Sequence, residues 1–489
     1  MFDHPLDPIF YPRSVALVGV SSNPSAGWGG GGFHQAILEM GFNPEAVYPV
    51  NPKMEEISGL KCYPTLLDTP DPVDHVISLV PAQVVPSLID QCVAKRVRSL
   101  HLFTAGFSET GDERMAAMEQ DTVAKLRAAG IRVIGPNCMG LYVPGSGLAF
   151  SRGFPKEPGN VFLLSQSGAN ASQIISSLAR RGVRFSKAVS FGNGADLKAH
   201  DFFDYAASDP QTEVVIAYIE GIQDGRAMVE TVKRCARQKP TIILKGGLSA
   251  AGARAANSHT ASLAGSRQVF EALCRQAGAM RAETMNDLLD LTVAITTSAK
   301  DIRGRGVALV GGPGGFAVLS SDAIAAEGLD IPPMPEAAKR GLRQFIPVAG
   351  TSVNNPIDAH LRTRQQFEDG MRIIAGADGI DVVLSTSFGP GGWIGENEAE
   401  QAAGEGPGNR VELNAAAAVE LLVNLQDETR VPFVVVQRDS GFEGARGFAY
   451  QTAAYQRGIA VFPDVARAAR SIRLTLEWRG RREGLPDIF

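Results

Sequence analysis

Along this chain, short runs of aliphatic and β-branched residues alternate with longer stretches whose apolar side chains return every third or fourth position. The short runs predict buried strands, and the longer stretches predict helices lying against a sheet. "SVALVGV" (14–20), "AVYPV" (46–50), "HVISLV" (75–80), "SLHLFT" (99–104) and "IRVIG" (131–135) make up a first series. Helical segments such as "VVPSLIDQCVAKRV" and "DERMAAMEQDTVAKLRAAG" lie between them. A second series starts at "VFLL" (161–164) and includes "EVVIAYIEG" (213–221) and "PTIILKGG" (240–247). A third opens with "VALVGGPGGFAVLSSDAI" (307–324) and carries "DVVLSTS" (381–387) and "PFVVVQR" (432–438).

Two linkers separate the series, the Gly/Pro-rich "YVPGSGLAFSRGFPKEPGN" (142–160) and "TTSAKDIRGRG" (296–306). The pattern predicts an α/β protein of three domains, a Rossmann-like unit over 1–145 followed by flavodoxin-like units over 156–296 and 304–485. The second and third blocks open alike, with a strand, a Gly/Ser turn and a helix. "GPGGWIGENEAEQAAGEGPGNR" (389–410) reads as a surface insertion in the third.

Composition narrows the function classes. The 489 residues include 53 Gly, which suits a fold with many tight strand-to-helix turns. A net charge of −5 provides no basic footprint for nucleic acid or an anionic membrane. No apolar run reaches the roughly 18 residues of a membrane span. Five scattered cysteines without C-x-x-C spacing argue against a disulfide framework and a structural zinc site. "MFDHPLDPIFYPRSVALVGV" lacks the basic n-region of a signal peptide, so a cytoplasmic protein is expected.

Three places could carry chemistry. In "GVSSNPSAGWGGGG" (19–32) a Gly/Ser turn follows the first strand and leads into a helix, where phosphates bind. It lacks a correctly placed G-x-G-x-x-G. The second strand ends in "VNPK" rather than in the acidic residue of NAD sites, so Lys53 suits a ribose phosphate. A flexible loop with a solvated lysine is the plainer alternative.

In "VFLLSQSGANASQIISSL" (161–178), Ser165, Gln166, Ser167 and Gly168 present hydroxyls and backbone N–H groups at a helix start. A phosphate there gains roughly 0.3–1 kcal/mol from the helix dipole, although the same residues also read as ordinary capping. Glu220 ends "VVIAYIE" at the carboxyl edge of the sheet, where open α/β sheets bind ligands. Such a carboxylate could accept the Nδ1–H of a histidine and leave Nε2 as a nucleophile. His259, in "NSHTASLAG" (257–265), has no metal-binding neighbour in sequence and is flanked by small side chains. Phosphorylation of His259 would use the cradle, the carboxylate and the loop together.

Longer segments carry a family resemblance. "YPVNP", "VPAQVVPSLIDQC", "TAGFSETG" and "GPNCMGLY" in the first block are similar to a CoA-binding domain. "PGNVFLLSQSGA", "GNGADL", "YIEGIQDGR" and "GARAANSHTASLAGS" follow in the second, with "VALVGGPGGFAVLSSDAI" and "NNPID" in the third. Through these the chain resembles the α subunit of ADP-forming acyl-CoA synthetases, relatives of succinyl-CoA synthetase. The resemblance implies a relay in which acyl-CoA and phosphate give acyl phosphate, His259 takes the phosphoryl group, and ADP receives it.

On the same resemblance, Glu220 steadies the phosphohistidine and Ser165 to Gly168 hold the phosphate. Gly19, Ser21, Ser22, Lys53, Val80, Pro81, Thr104, Ala105 and Gly106 hold CoA, and Asn137 and Asn170 are candidate substrate contacts. Gly311 to Gly315 would form a loop near the relay. The chain departs from the family at Ala261, at the third-block Gly loop and in "GWGGGG" (27–32). All three blocks are used up, so ATP or ADP and Mg²⁺ are expected on a separate ATP-grasp β subunit. The chain would then be part of a hetero-oligomer acting on a small carboxylic acid or its CoA thioester. A non-catalytic CoA-sensing module is the alternative reading. A hydride-transferring oxidoreductase is a more distant one.

Overall fold

The computed structural model describes residues 4–21, 32–254, 266–312, 314–359, 361, 363–387, 407–437 and 444–482. The Gly-rich turn 22–31, the His259 segment 255–265 and most of the 389–410 insertion lie outside the described residues. The chain divides into two compact units, one built from Met1–Ala179 and Arg184–Glu283, the other from Arg180–Val183 and Thr284–Gly484.

The first unit holds two sheets. In one, β1 (Val15–Val18), β2 (Val47–Val50), β3 (His75–Ser78), β4 (Ser99–Leu102) and β5 (Arg132–Ile134) are all parallel, in the order β2-β1-β3-β4-β5. Nearly every residue of these strands is buried, as expected when both faces are covered. The order reverses between β1 and β3, and their carboxyl ends flank a crevice of the kind that binds ligands.

The second sheet contains β6 (Gly140–Tyr142), β7 (Val161–Ser165), β8 (Phe185–Ser190), β9 (Val214–Ile219), β10 (Thr241–Lys245) and β11 (Met280–Ala282). Its order is β11-β10-β9-β7-β8-β6, five parallel strands in flavodoxin-like sequence with β6 antiparallel at the edge. β6 lies within 1–145, the range expected for the first domain, yet it pairs with β8 of the second sheet. The helices that matter here are α1 (Gly168–Arg180), α2 (Ala199–Ser208) and α3 (Gly225–Gln238). α3 buries Met228, Thr231, Val232, Cys235 and Ala236, a spacing of three and four that marks one face of a helix. Its N-cap, Asp224, accepts the Ala227 N–H at 3.0 Å.

The second unit holds β12 (Val307–Val310), β13 (Val382–Ser385), β14 (Phe433–Val436) and β15 (Ala460–Phe462), parallel and in chain order. A flavodoxin-like sheet would carry one more strand outside β12. Here single bridges, Gly306 to Asp330 and Val310 to Ile357, stand in its place. The Asn355 amide completes the substitution by accepting the Leu309 N–H at 3.0 Å and donating to the Val307 carbonyl at 2.7 Å. Among the described residues no helix is long and apolar enough to cross a membrane.

Candidate active site

The order of the second sheet reverses at β7 and β9, and the residues beyond their carboxyl ends lock together. Ser165 closes β7 fully buried, its hydroxyl donating to the Ser167 carbonyl at 2.6 Å. The Gln166 N–H donates to the Tyr218 carbonyl at 2.9 Å. The Gln166 side-chain oxygen accepts from the Glu220 N–H at 2.8 Å and the Gly221 N–H at 2.9 Å. Gly168 opens α1, and a Cβ there would come within 2.5 Å of Met139 Cγ. The expected cradle, Ser165 to Gly168, therefore lies at the start of α1 beside Glu220, the helix end whose dipole favours an anion, with the Asn170 N–H 3.4 Å from Ser167 Oγ.

Glu220 is held from several sides. Its carboxylate accepts the Tyr218 hydroxyl, which also hydrogen-bonds Asn170; burial, then the Glu220 charge, pushes the Tyr218 phenol well up. The nearly buried Lys245 ammonium donates to the Glu220 carbonyl at 2.6 Å and the Gly246 carbonyl at 2.9 Å. Burial lowers the Lys245 pKa, against the opposing pull of Glu220. Asn170, expected as a substrate contact, sits in this carboxylate network. His259 lies outside the described residues.

The first sheet gathers most of the other expected residues at its own carboxyl edge. Gly19 adopts φ +94°, and a Cβ there would meet Val80 Cγ1 at 2.8 Å and the Leu79 carbonyl carbon at 3.0 Å. Thr104 ties the edge together, donating to the Val80 carbonyl at 2.8 Å with Ser78 Oγ 3.1 Å away. Pro81 follows Val80 directly. Ala105 and Gly106 follow Thr104, and the Gly106 N–H donates to Glu109 Oε1 at 2.5 Å. Ser21 lies just past β1, where Asn51 Nδ2 donates to the Val20 carbonyl at 2.7 Å. Lys53 is exposed, its N–H held by Asn51 Oδ1 at 2.9 Å. Ser22 lies outside the described residues.

Asn193 joins the two edges. Its amide Nδ2 faces Glu109 Oε2 at 2.7 Å, Glu119 Oε2 at 3.1 Å and Ser108 Oγ at 3.3 Å, while Asn137 Nδ2 lies 3.5 Å from Asn193 Oδ1. Asn137 itself has φ +58° and donates its N–H to the Thr104 carbonyl at 3.0 Å. Sequence reasoning did not single out Asn193, Tyr218 or Lys245. Tyr218 stands two residues before Glu220 on a strand and so shares its face, a signal the period of two contains. Among the described residues no group of three His, Cys, Asp or Glu is placed to hold a metal ion.

Known proteins show the same organisation. Residues 13–144 match a CoA binding domain, and residues 158–295 match the succinyl-CoA ligase like flavodoxin domain. The ADP-forming acetate–CoA ligase I of Archaeoglobus fulgidus is 35% identical over 383 residues, 78% of this chain and 54% of that protein. The chain thus spans about half the length of that relative. The α subunit of the ADP-forming acetate–CoA ligase II of Pyrococcus furiosus is 34% identical over 381 residues, 78% of this chain and 82% of that subunit. Among solved structures, the Ca. Korarchaeum cryptofilum dinucleotide forming acetyl-coenzyme A synthetase 1, in complex with phosphate and ADP, superposes with a TM-score of 0.76. Its sequence identity is 28%, with 98% of each chain covered.

Proposed function

This chain belongs to the ADP-forming acyl-CoA synthetase family, and we propose that it works as the α subunit of such an enzyme. In this reading a phosphate oxygen attacks the thioester carbonyl of an acyl-CoA, the C–S bond breaks, and CoA leaves as thiolate and takes up a proton. His259 Nε2 then attacks phosphorus in the acyl phosphate, and the free carboxylate departs. Glu220 accepts the Nδ1–H of the ring and stabilises the charge that builds there. The N–H groups at the start of α1 hold the phosphate oxygens. From His259 the phosphoryl group passes to ADP, held with Mg²⁺ on a separate ATP-grasp β subunit, and the same steps run in reverse for ligation.

The observation that carries this reading is the Gln166 bridge, which fixes the cradle and Glu220 as one piece. The close approach of the β1 and β3 ends at Gly19, where no side chain fits against Val80, and the reversal of strand order there support CoA at the first sheet. Domain bounds of 1–145, 156–296 and 304–485, assembly with the β subunit as a hetero-oligomer, and a cytoplasmic setting belong to the same proposal. The test is labelling of the chain by γ-labelled ATP and Mg²⁺ in an extract of its host that supplies the partner. Label that survives alkali but not acid, and is absent from His259→Asn, is the expected result. CoA binding without any label would leave a ligand-sensing module instead.

A further inference from the structure

The relay gives Tyr218 no task, yet its phenol stands at the centre of the second-sheet site. Tyr218 lies on β9 directly between Ser165 of β7 and Leu244 of β10. It precedes Glu220 by two residues, so the two side chains leave the sheet on one face. The phenol meets both the Glu220 carboxylate and the Asn170 side chain. A carboxylate can only accept, so the single phenol proton goes to Glu220 and the phenol oxygen accepts from the Asn170 amide. Asn170 is the third residue of α1, the helix whose start forms the cradle. One chain of donors therefore runs from the phosphate-binding helix through Tyr218 to the carboxylate.

The surroundings fix everything about Glu220 except the turn of its side chain. Gln166 holds its N–H at 2.8 Å, and the buried Lys245 ammonium holds its carbonyl at 2.6 Å. The terminal torsion of a glutamate has no sharp preference of its own, so a partner must set it. Lys245 also donates to the Gly246 carbonyl at 2.9 Å, which ties that glycine to Glu220. A Cβ at Gly246 would come within 2.8 Å of Tyr218 Oη and 3.6 Å of Glu220 Cγ. The glycine thus leaves the space in which the hydroxyl and the carboxylate meet. A phenol-to-carboxylate bond is short and directional, and it occupies one oxygen while leaving the other for an imidazole N–H.

We infer that Tyr218 is a positioning residue of the relay, turning the Glu220 carboxylate so that its second oxygen faces Nδ1 of phosphorylated His259. The inference rests on the synthetase reading above and adds to it the residue that aligns its carboxylate. The test is an equilibrium, which needs no knowledge of the acyl group. The chain, purified with its partner subunit, is brought to equilibrium with Mg²⁺ and γ-labelled ATP over a series of ATP:ADP ratios, and the labelled fraction of His259 is measured. In Tyr218→Phe the ratio that gives half labelling should rise about tenfold, the effect of one charged hydrogen bond, with the melting temperature close to wild type. Gly246→Ala keeps the phenol but sets a methyl group against its oxygen, and should shift the ratio in the same direction. A tyrosine that only packs the strand would lower the melting temperature of Tyr218→Phe and leave the ratio unmoved. An unmoved ratio overturns the inference and leaves the synthetase reading intact. A shift in Tyr218→Phe without one in Gly246→Ala overturns the part given to the glycine. A wild-type complex that takes no label removes the synthetase reading and this inference with it.

Discussion

Gln166 holds Glu220 by its backbone, with one side-chain oxygen accepting from both the Glu220 and the Gly221 N–H groups at 2.8 and 2.9 Å. Gln166 is itself bound to β9 through the Tyr218 carbonyl. The carboxylate that would face His259 thus depends on a residue of the phosphate cradle for its position.

Gln166→Ala should therefore damage turnover more than folding. It leaves two N–H groups without their acceptor, at a cost of about 1–3 kcal/mol, and frees Glu220 to move. A loss of tenfold or more in steady-state rate is expected, with the substrate KM values close to wild type. Gln166→Glu keeps an acceptor oxygen in place but sets a carboxylate against Glu220 and the phosphate, so it should lose rate near neutral pH as well. A Gln166→Ala enzyme with wild-type kcat would show that Glu220 needs no such support.

Gly19 makes a prediction about the other edge. An alanine there would have to hold φ near +94° and place its Cβ 2.8 Å from Val80 Cγ1 and 3.0 Å from backbone. Left-handed backbone strain alone costs about 1–3 kcal/mol. Relief requires the β1 and β3 ends to part, which would disturb the crevice between them. Gly19→Ala should lower the melting temperature and weaken CoA binding by about tenfold or more, a change of ~1.4 kcal/mol. Calorimetric titration with CoA measures this, and an unaltered affinity would place CoA elsewhere.

The sequence made the strands of the first sheet legible because they are continuous aliphatic runs, and each is found, trimmed at its ends. β8 escaped because "FSKAVS" carries Lys187 in its middle, a residue that no hydrophobic pattern assigns to a buried strand. Its ammonium is fully buried and satisfied by Asp209 at 2.7 Å and Gln211 at 3.1 Å, partners more than twenty residues away. Glu220 and the cradle were readable from their places at strand ends. Their union through Gln166 was not, since a long-range side-chain-to-backbone bond leaves no periodic trace. Asn193 stood in the open within "GNGADL", but what it faces, Glu109 and Glu119 of the first block, depends on how chain segments distant in sequence pack together.

A buried histidine pair under the first sheet makes stability depend on pH. His75 and His101 stack with ring centroids 6.3 Å apart, with Ser99 Oγ 2.7 Å from one ring and the Cys138 carbonyl 3.1 Å from the other. Burial, reinforced by the neighbouring ring, pushes His75 down to about 3, and burial pushes His101 down to about 4. Both pKa values lie below the unfolded value near 6.5, so the folded state holds these rings neutral. Their contribution is complete above about pH 6.5 and is lost as the unfolded chain gains protons below it, by roughly 1 kcal/mol per pH unit for each ring. Urea midpoints should fall steadily between pH 6.5 and 4, and His75→Gln should flatten the slope by about half. A flat wild-type profile over that range would contradict the neutral assignment.

Asn193 couples the two edges in a way that rate measurements can separate from simple stability. Its amide stands between the Glu109 and Glu119 carboxylates, and its own carbonyl accepts Gln223 Nε2 at 3.1 Å. Glu109 in turn fixes the Gly106 and Phe107 N–H groups at the carboxyl edge of the first sheet, where CoA is proposed to bind. Asn193→Ala removes the donor between two carboxylates, so Glu109 should shift and carry the Gly106 turn with it. The cradle at Ser165–Gly168 keeps its own bonds. Phosphorylation of His259 from ATP, which needs the cradle but no CoA, should therefore proceed at near the wild-type rate. The CoA-dependent half-reaction should suffer instead, with the KM for CoA raised about tenfold, equivalent to ~1.4 kcal/mol. Asn193→Asp should be worse than Asn193→Ala near neutral pH, because it sets a third carboxylate against two others. Equal losses in phosphorylation and in CoA turnover would mean that Asn193 merely holds the fold together.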